Sequence, residues 1–387
     1  MRYLILVSAL IMQMCLGATY SWSVYVHPLK MMTGLDQGPV QIPFSVFYFI
    51  FPMTMMFAGN LLPKIGTQKS AMIGGALFGG GWLLASLGKN SFLYTVLGIG
   101  CVSGIGAGMA YIVPIAVCIR WFPENKGLVT GIAVAGFGGG AALVSQLGGY
   151  FINTTGLTPF QTFFVFGAAF MVLIPIAGFT MQMPKGEVHA RQREPLKSGT
   201  VLVNINFRIL YIVMLISLAA GFAVNANLKE LYHGQGNAAQ IGITAVSFFA
   251  IANAFGRIAW GAIFDRIPSA SAIQANLICQ AVILVMAPMM LGSTFGFWIV
   301  ALITGFNYGG VLVIYVSSAS RIWGAENVGQ VYGWLFTSNI PASLSPILAG
   351  MVFDWYGNFD KALYIASGML IVCALGIFQK SRIINKV

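Results

Sequence analysis

Long apolar segments separated by short polar stretches make up almost the whole chain. Each apolar segment has about the 20 residues that an α-helix needs to cross a bilayer. The pattern predicts twelve spans, near residues 3–26, 40–62, 70–88, 92–118, 126–150, 158–183, 207–228, 238–264, 270–290, 294–318, 327–352 and 360–380. We therefore predict an all-α membrane protein, with six helices in residues 1–183, a linker at 184–206 and six helices in 207–387.

A set of residues recurs at an offset of 202 positions, which indicates an internal duplication. The segment Gly59-x-x-x-Pro63-Lys64-x-Gly66 returns as Gly261-x-x-x-Asp265-Arg266-x-Pro268. The same offset relates Trp121, Glu124, Asn125, Gly127 and Gly131 to Trp323, Glu326, Asn327, Gly329 and Gly333. Because each half has six spans, equivalent helices run in the same direction. This predicts two halves related by an axis along the membrane normal, with a substrate site between them near the midplane.

The distribution of positive charge predicts the orientation. With both termini in the cytoplasm, fifteen lysines and arginines fall in cytoplasmic segments, and four fall outside: Lys30, Lys89, Lys229 and Lys361. This is a strong positive-inside bias. We expect an integral protein of the cell (inner) membrane with an uncleaved first helix, because the first apolar run continues beyond the length of a signal peptide.

Composition narrows the class further. With 58% hydrophobic and 7% charged residues, the chain is not a soluble globular domain, and its net charge of +11 is scattered between spans, unlike a nucleic-acid surface. The five cysteines lie in apolar segments and form no metal or disulfide pattern. The three histidines (His27, His189 and His233) lie outside the spans. We therefore expect no enzyme, cofactor or metal site; a non-transporting membrane sensor remains an alternative.

Arg257 is the single charged residue that lies well inside an apolar span, away from the span ends. A centrally placed arginine costs about 2.5–3.5 kcal/mol on insertion scales, a cost that a ligand, partner or aqueous cavity usually offsets. The alternatives are snorkelling toward the interface and a structural contact with backbone carbonyls. We predict that Arg257 binds an anion, and that the chain transports it.

Several uncharged residues are candidates for the same site. Tyr111 in the fourth span and Arg257 in the eighth lie at matching depth, and Asn253 lies one turn before Arg257 on the same face. An unpaired amide inside a span is costly, which makes Asn339 a candidate in the eleventh span. For all of them, helix packing is the alternative. The remaining candidates are Tyr20, Asn307, Tyr308 and Phe137, the last as an apolar wall.

Three segments resemble a known family. They are Gly17-Ala-Thr-Tyr20-Ser-Trp22-Ser-Val-Tyr25, Gly106-Ala-Gly108-Met-Ala-Tyr111-Ile-Val-Pro114 with the following loop, and Asn253-Ala-Phe-Gly256-Arg257 with Asp265-Arg266. The chain resembles the major facilitator superfamily, and within it the oxalate/formate antiporter-type and monocarboxylate transporter-like members. The resemblance implies that Arg257 binds the anion and that Tyr111 assists. Pro63 departs from the aspartate common in the superfamily loop.

The resemblance also raises the question of the substrate. Oxalate-type members have a lysine in span 11, whereas here that span has no charge, and Ser338 or Asn339 lies near the expected position. One arginine neutralises one carboxylate, so we expect a lactate-like or pyruvate-like monocarboxylate, with an oxalate/formate-type exchanger as the alternative. Transport is coupled either to a proton or to a second anion. The titratable candidates are His27, Glu230 and His233 at the outer mouth, and we expect a monomer.

Overall fold

The computed structural model describes residues 2–122, 126–184, 198–234, 238–324 and 327–384. All regular elements in these residues are helical, and twelve helices are long and apolar enough to cross a membrane. We number them α1 (Arg2–Ser21), α2 (Gln37–Ala58), α3 (Thr67–Lys89), α4 (Leu93–Trp121), α5 (Ile132–Asn153), α6 (Pro159–Phe179), α7 (Ile205–Leu231), α8 (Ala238–Arg266), α9 (Ser269–Met290), α10 (Thr294–Trp323), α11 (Gln330–Tyr356) and α12 (Asp360–Ile377). The predicted all-α class and number of spans are confirmed.

Some helices continue past these spans. A helix at Ser23–Thr33 extends α1, the helix that contains α2 ends at Ile65, the one that contains α5 begins at Lys126, and the one that contains α12 ends at Ile384. A short helix at Ser198–Val203 precedes α7 within the predicted linker. Most of that linker, with His189, and the repeated positions Glu124, Asn125 and Glu326 lie outside the described residues.

The two sets of six helices, α1–α6 and α7–α12, use the same pairings. In the first set α1 packs on α5 and α6, α3 packs on α4 and α6, and α2 packs on α4; in the second set the equivalent helices pack in the same way. Between the sets, α5 packs against α8, and α2 packs against α11. These paired crossings place the centre of the molecule between the two sets.

Because the helices alternate in direction, the bundle has two distinct ends. The end where α1 begins and α12 ends is called here the termini end, and the other is called the far end. The positive-inside prediction makes the termini end cytoplasmic. Loops at the far end include residues 34–36, between α1 and α2, and 357–359, between α11 and α12.

Candidate functional site

Arg257 is buried in α8, with 8% of its surface exposed. Its one hydrogen bond to the described part of the chain is long, from an Nη atom to the carbonyl oxygen of Val134 in α5, at 3.5 Å. Its buried Nε–H has no hydrogen-bond partner among the described residues. The guanidinium can therefore still offer N–H donors to an anion, and bidentate binding of a carboxylate is the geometry that guanidinium groups favour.

Close packing of α8 on α10 fixes the backbone around Arg257. A side chain at Gly256 would collide with the backbone of Phe306, and one at Gly309 would collide with the backbone of Asn253. Small residues let two helices approach closely in a membrane, where van der Waals contact drives helix association. The residue before Arg257 thus holds α8 against a neighbour, and this contact limits where the guanidinium can lie.

Tyr20 reaches the centre of the molecule from an interruption in α1. Residues Gly17–Ser21 form a 3₁₀ turn, and the hydroxyls of Thr19 and Ser21 donate to the carbonyls of Leu16 and Ala18. Such hydroxyl bonds satisfy carbonyls where the α-helical ladder changes. The hydroxyl of Tyr20 lies 2.9 Å from that of Tyr308 in α10, so the two sets of helices share a buried hydrogen bond.

Phe137 lies between the two predicted tyrosines of the first set. Its ring is edge-on to Tyr20 at 5.0 Å and edge-on to Tyr111 at 5.7 Å between centroids. Tyr111 occupies a turn in α4, where Pro114 lacks the N–H that would bond to the carbonyl of Ala110. The structure therefore brings Tyr20, Tyr111 and Phe137 together, while the role of Phe137 as an apolar wall for substrate stays a prediction.

Two further tyrosines belong to this centre and were missed in the sequence. Tyr48 in α2 stacks on Tyr20 with centroids 5.7 Å apart. Tyr332 in α11 donates its hydroxyl hydrogen to the carbonyl of Leu312, at 3.2 Å. The ring of Tyr332 also packs on Phe336 at 5.7 Å, Phe336 packs on Phe51 at 6.0 Å, and Phe51 packs on Tyr111 at 5.4 Å between centroids. Nothing in the sequence distinguishes these tyrosines from packing aromatics, because their proximity arises from helices far apart in the chain.

Asn253 is fully buried one turn before Arg257. Neither its amide nitrogen nor its amide oxygen has a hydrogen-bond partner among the described residues. A buried polar group without a partner costs about 1–3 kcal/mol. The amide therefore has donor and acceptor capacity available one turn before the arginine, and its contact with substrate stays a prediction.

The side chain of Asn339 forms a hydrogen bond within its own helix. The missing N–H groups of Pro341 and Pro346 interrupt α11, which the structure divides into Val328–Phe336, Asn339–Ala342 and Ser345–Tyr356. The side-chain nitrogen of Asn339 donates to the carbonyl of Phe336 at 2.7 Å. Part of the polarity of this residue therefore stabilises the break in its own helix, whereas the neighbouring Ser338 hydroxyl is buried and has no partner among the described residues.

Asn307 and Tyr308 are neighbours in sequence, but their polar groups are used differently. The hydroxyl of Tyr308 joins Tyr20, whereas Asn307 lies within the second set in a closely packed group of mostly polar residues. The other residues of this group are Ser217, Asn276, Gln280, Tyr308, Val311 and Leu370. The backbone carbonyl of Asn307 accepts a hydrogen bond from Asn276, at 3.0 Å. The side-chain amide of Asn307 is buried and has no hydrogen-bond partner among the described residues, so its contact with substrate stays a prediction.

The titratable candidates lie at the far end. The imidazole Nδ1 of His27 is 4.0 Å from a carboxylate oxygen of Glu230, with side chains 60% and 15% exposed respectively. This pair joins the extension of α1 to the end of α7, and so bridges the two sets. His233 is exposed and lies beside Gly292, in the loop between α9 and α10.

Comparison with known sequences places these features in a family context. The family model described as Major Facilitator Superfamily matches residues 4–342. An uncharacterized MFS-type transporter, YhjX of Escherichia coli, is 25% identical over 343 residues, which are 87% of this chain and 84% of that protein. The oxalate:formate antiporter of Oxalobacter formigenes is 26% identical over 356 residues, 88% of this chain and 82% of that protein. Monocarboxylate transporter 10 of Danio rerio is 26% identical over 358 residues, 87% of this chain and 68% of that protein.

Solved structures share the fold. A bacterial homologue of the human lysosomal transporter Spinster superposes with a TM-score of 0.74 at 16% identity, covering 98% of this chain and 96% of that one. The transporter FucP superposes with a TM-score of 0.65 at 14% identity, covering 99% of both chains. At this identity the likeness concerns the arrangement of helices alone.

Proposed function

Because the chain belongs to the major facilitator superfamily, we propose that it is a secondary active transporter of small monocarboxylates, lactate-like or pyruvate-like, whose carboxylate binds Arg257. The substrate moves together with a proton. Binding occurs between the two sets of helices, and access alternates between the ends of the bundle as one set rocks against the other.

The observation that carries this proposal is the state of Arg257. It is buried, its Nε–H has no partner in the described ranges of the chain, and its terminal nitrogen makes a long bond to a backbone carbonyl. The desolvation of a cation is offset well by an opposite charge with good hydrogen-bond geometry. A carboxylate supplies both, since its two oxygens accept parallel N–H bonds from a guanidinium.

The neighbouring groups support a small substrate with a polar head. The hydroxyls of Tyr20 and Tyr308 can donate to a carboxylate oxygen, and the amide of Asn253, one turn before Arg257, can bond a 2-hydroxy or 2-oxo group. The ring of Phe137 offers an apolar surface for a methyl group. Without an anion, Arg257 opposes passage of the unloaded carrier through a closed intermediate; with one, the charge is neutralised and the change between states becomes easier.

The number of cations in the proposed site limits the number of carboxylate groups that the substrate can have. The α11 span, Gln330–Tyr356, contains no lysine or arginine, so Arg257 has no second cation from that helix. A dianion would keep one charge unmatched in a region of low dielectric. The similarity to monocarboxylate transporter 10 supports the same substrate class.

A second function, exchange of oxalate-type and formate-type anions, is favoured by the similarity to the oxalate:formate antiporter. In that case the buried hydroxyl of Ser338 and the other hydroxyls of the site would have to stabilise the second carboxylate. Exchange of two anions needs no proton. In the symport scheme, the His27–Glu230 pair at the far end binds the proton, and His233 is a further candidate.

Uptake of labelled L-lactate into proteoliposomes tests the proposal. We expect accumulation driven by an inward proton gradient for the wild type, and a loss of at least about a hundredfold in Arg257→Ala, because removing a charged partner from a buried carboxylate costs about 3–5 kcal/mol. The matched control is Arg208→Gln, which removes an exposed arginine near the start of α7.

Two outcomes would contradict the proposal. If Arg257→Ala transports as well as the wild type, the carboxylate binds elsewhere. If the gradient has no effect but preloaded oxalate or formate accelerates uptake, the protein is an anion exchanger and the second function holds.

A further inference from the structure

The first turn of α2 and the last turn of α11 meet at the far end through one carboxylate. The two side-chain oxygens of Asp354 each accept a backbone N–H, from Gln37 and from Gly38, at 2.8 Å in both cases. These N–H groups belong to the start of α2, where no helical carbonyl is available to them. A carboxylate there forms charge-assisted hydrogen bonds with the free amides of this first helical turn, Gln37–Val40. Because α2 and α11 belong to different sets, this contact joins the two halves of the molecule.

A buried amide cluster continues the contact toward α7. The side-chain nitrogens of Gln37 and Gln41 donate to the same oxygen of Asn227, at 2.8 and 2.9 Å. The side-chain oxygen of Gln37 accepts from the ammonium of Lys30, at 3.0 Å. The three amide side chains are fully buried. Gln37 is therefore bonded on its backbone and on both side-chain atoms, and its position is fixed between the two sets.

The helices leave no space between them at this contact. A Cβ atom on Gly350 would come within 2.7 Å of the Cα atom of Gly38 and within 2.8 Å of the backbone oxygen of Gln37. Such distances require the backbone to shift. Movement of α2 away from α11 must therefore break the hydrogen bonds of Asp354 and, at the same time, the contact between Gly38 and Gly350.

We propose that Asp354 is a latch, which holds the far end of the bundle closed and sets the fraction of molecules open at that end. The latch consists of the Asp354 carboxylate, the N–H groups of Gln37 and Gly38, and the Gly38–Gly350 contact that brings them together. Any substrate that uses this end passes only when the latch is broken. The proposal concerns the conformational equilibrium and is independent of which anion the protein carries.

Distances measured between spin labels at the far end test the latch. Labels at Asn90, between α3 and α4, and at Met289, near the end of α9, sit on exposed side chains of the two sets. The native cysteines are first replaced in this background. In Asp354→Ala, and to a smaller extent in Asp354→Asn, we expect the distance distribution to shift toward longer values.

The matched control is Asp360→Asn, which removes a carboxylate six residues later at the same end, from the first turn of α12. It should leave the distribution unchanged. If the Asp354 and Asp360 variants give the same distribution as the wild type, Asp354 is not a latch. Because no substrate is present, failure here is distinguishable from failure of the monocarboxylate proposal.

A second variant tests the same contact without altering charge. Gly350→Ala should shift the distribution in the same direction as Asp354→Ala, since its methyl group must push α2 and α11 apart. Gly368→Ala in α12, where a Cβ meets no atom within 4 Å, is the control. An unchanged distribution in properly folded Gly350→Ala would also overturn the proposal.

Discussion

At the scale of single residues, the centre of the molecule combines one cation with uncharged hydroxyls and amides. Arg257 lacks a carboxylate partner among the described residues, while Tyr20 and Tyr308 bond each other across the two sets. Hydroxyls can both donate and accept, so this pair can reorganise around an anion without leaving a buried charge. In the proposed site the positive charge thus comes from Arg257, and the tyrosines supply hydroxyls that can either donate or accept a hydrogen bond.

Tyr308→Phe removes one partner of the buried hydroxyl pair. We expect the KM for lactate to rise about tenfold, because a hydrogen bond to a charged group contributes about 1.5–3 kcal/mol and the substrate loses one donor. The measurement is the concentration dependence of uptake in proteoliposomes. Tyr315→Phe is the control, since Tyr315 lies in the same helix and its hydroxyl bonds Ser217 within the second set. Equal KM values in both variants would place Tyr308 outside the substrate site.

At the scale of helices, packing between α8 and α10 determines the position of Arg257. The closest approach involves Gly256, Gly305 and Gly309, whose missing side chains let the two backbones touch. The position of Arg257 therefore depends on glycines, which have no side chain that could contact a substrate. Glycine has a low helix propensity, and the van der Waals contact between two closely packed helices offsets this cost.

Gly256→Ala is expected to destabilise the protein by about 1–3 kcal/mol, which is the usual effect of adding a methyl group to a packed interior. The reason is a collision with the backbone of Phe306, which cannot move like a flexible side chain. Gly261→Ala, five residues later in α8, places its Cβ at an ordinary 3.4 Å from Val313. Thermal unfolding in detergent should show a lower Tm for Gly256→Ala and no loss for Gly261→Ala. The reverse order would exclude this packing contact as a determinant.

At the scale of the whole molecule, two sets of six helices meet along α5–α8 and α2–α11. The first crossing has its own polar contact, in which the hydroxyls of Ser145 and Ser247 lie 2.9 Å apart and Gln146 donates to Ser247. Neutral bonds of this kind contribute about 0.5–1.5 kcal/mol each. They are therefore weak enough to break and form again in the alternating access that we propose.

Orientation in the membrane is a prediction for the whole chain. A cysteine at Asn358, in the far-end loop, should react with a membrane-impermeant maleimide in intact cells, whereas one at Thr200, before α7, should react only after permeabilisation. The reason is the excess of lysine and arginine at the termini end. A background without the five native cysteines is the control. The opposite labelling pattern would mean that the termini lie outside.

The sequence by itself determined the class, the twelve spans and the candidate status of Arg257, because hydrophobic length and a lone intramembrane charge are local properties. It also identified Phe137, Tyr20 and Tyr111 as candidates, but it could not show that they touch. Their contacts, the added tyrosines Tyr48 and Tyr332, and the separation of Asn307 from Tyr308 were decided only by the tertiary structure. The same is true of Asp354, which in the sequence is one acidic loop residue among several. Such proximity depends on how helices distant in sequence cross, and no local pattern of residues encodes that geometry.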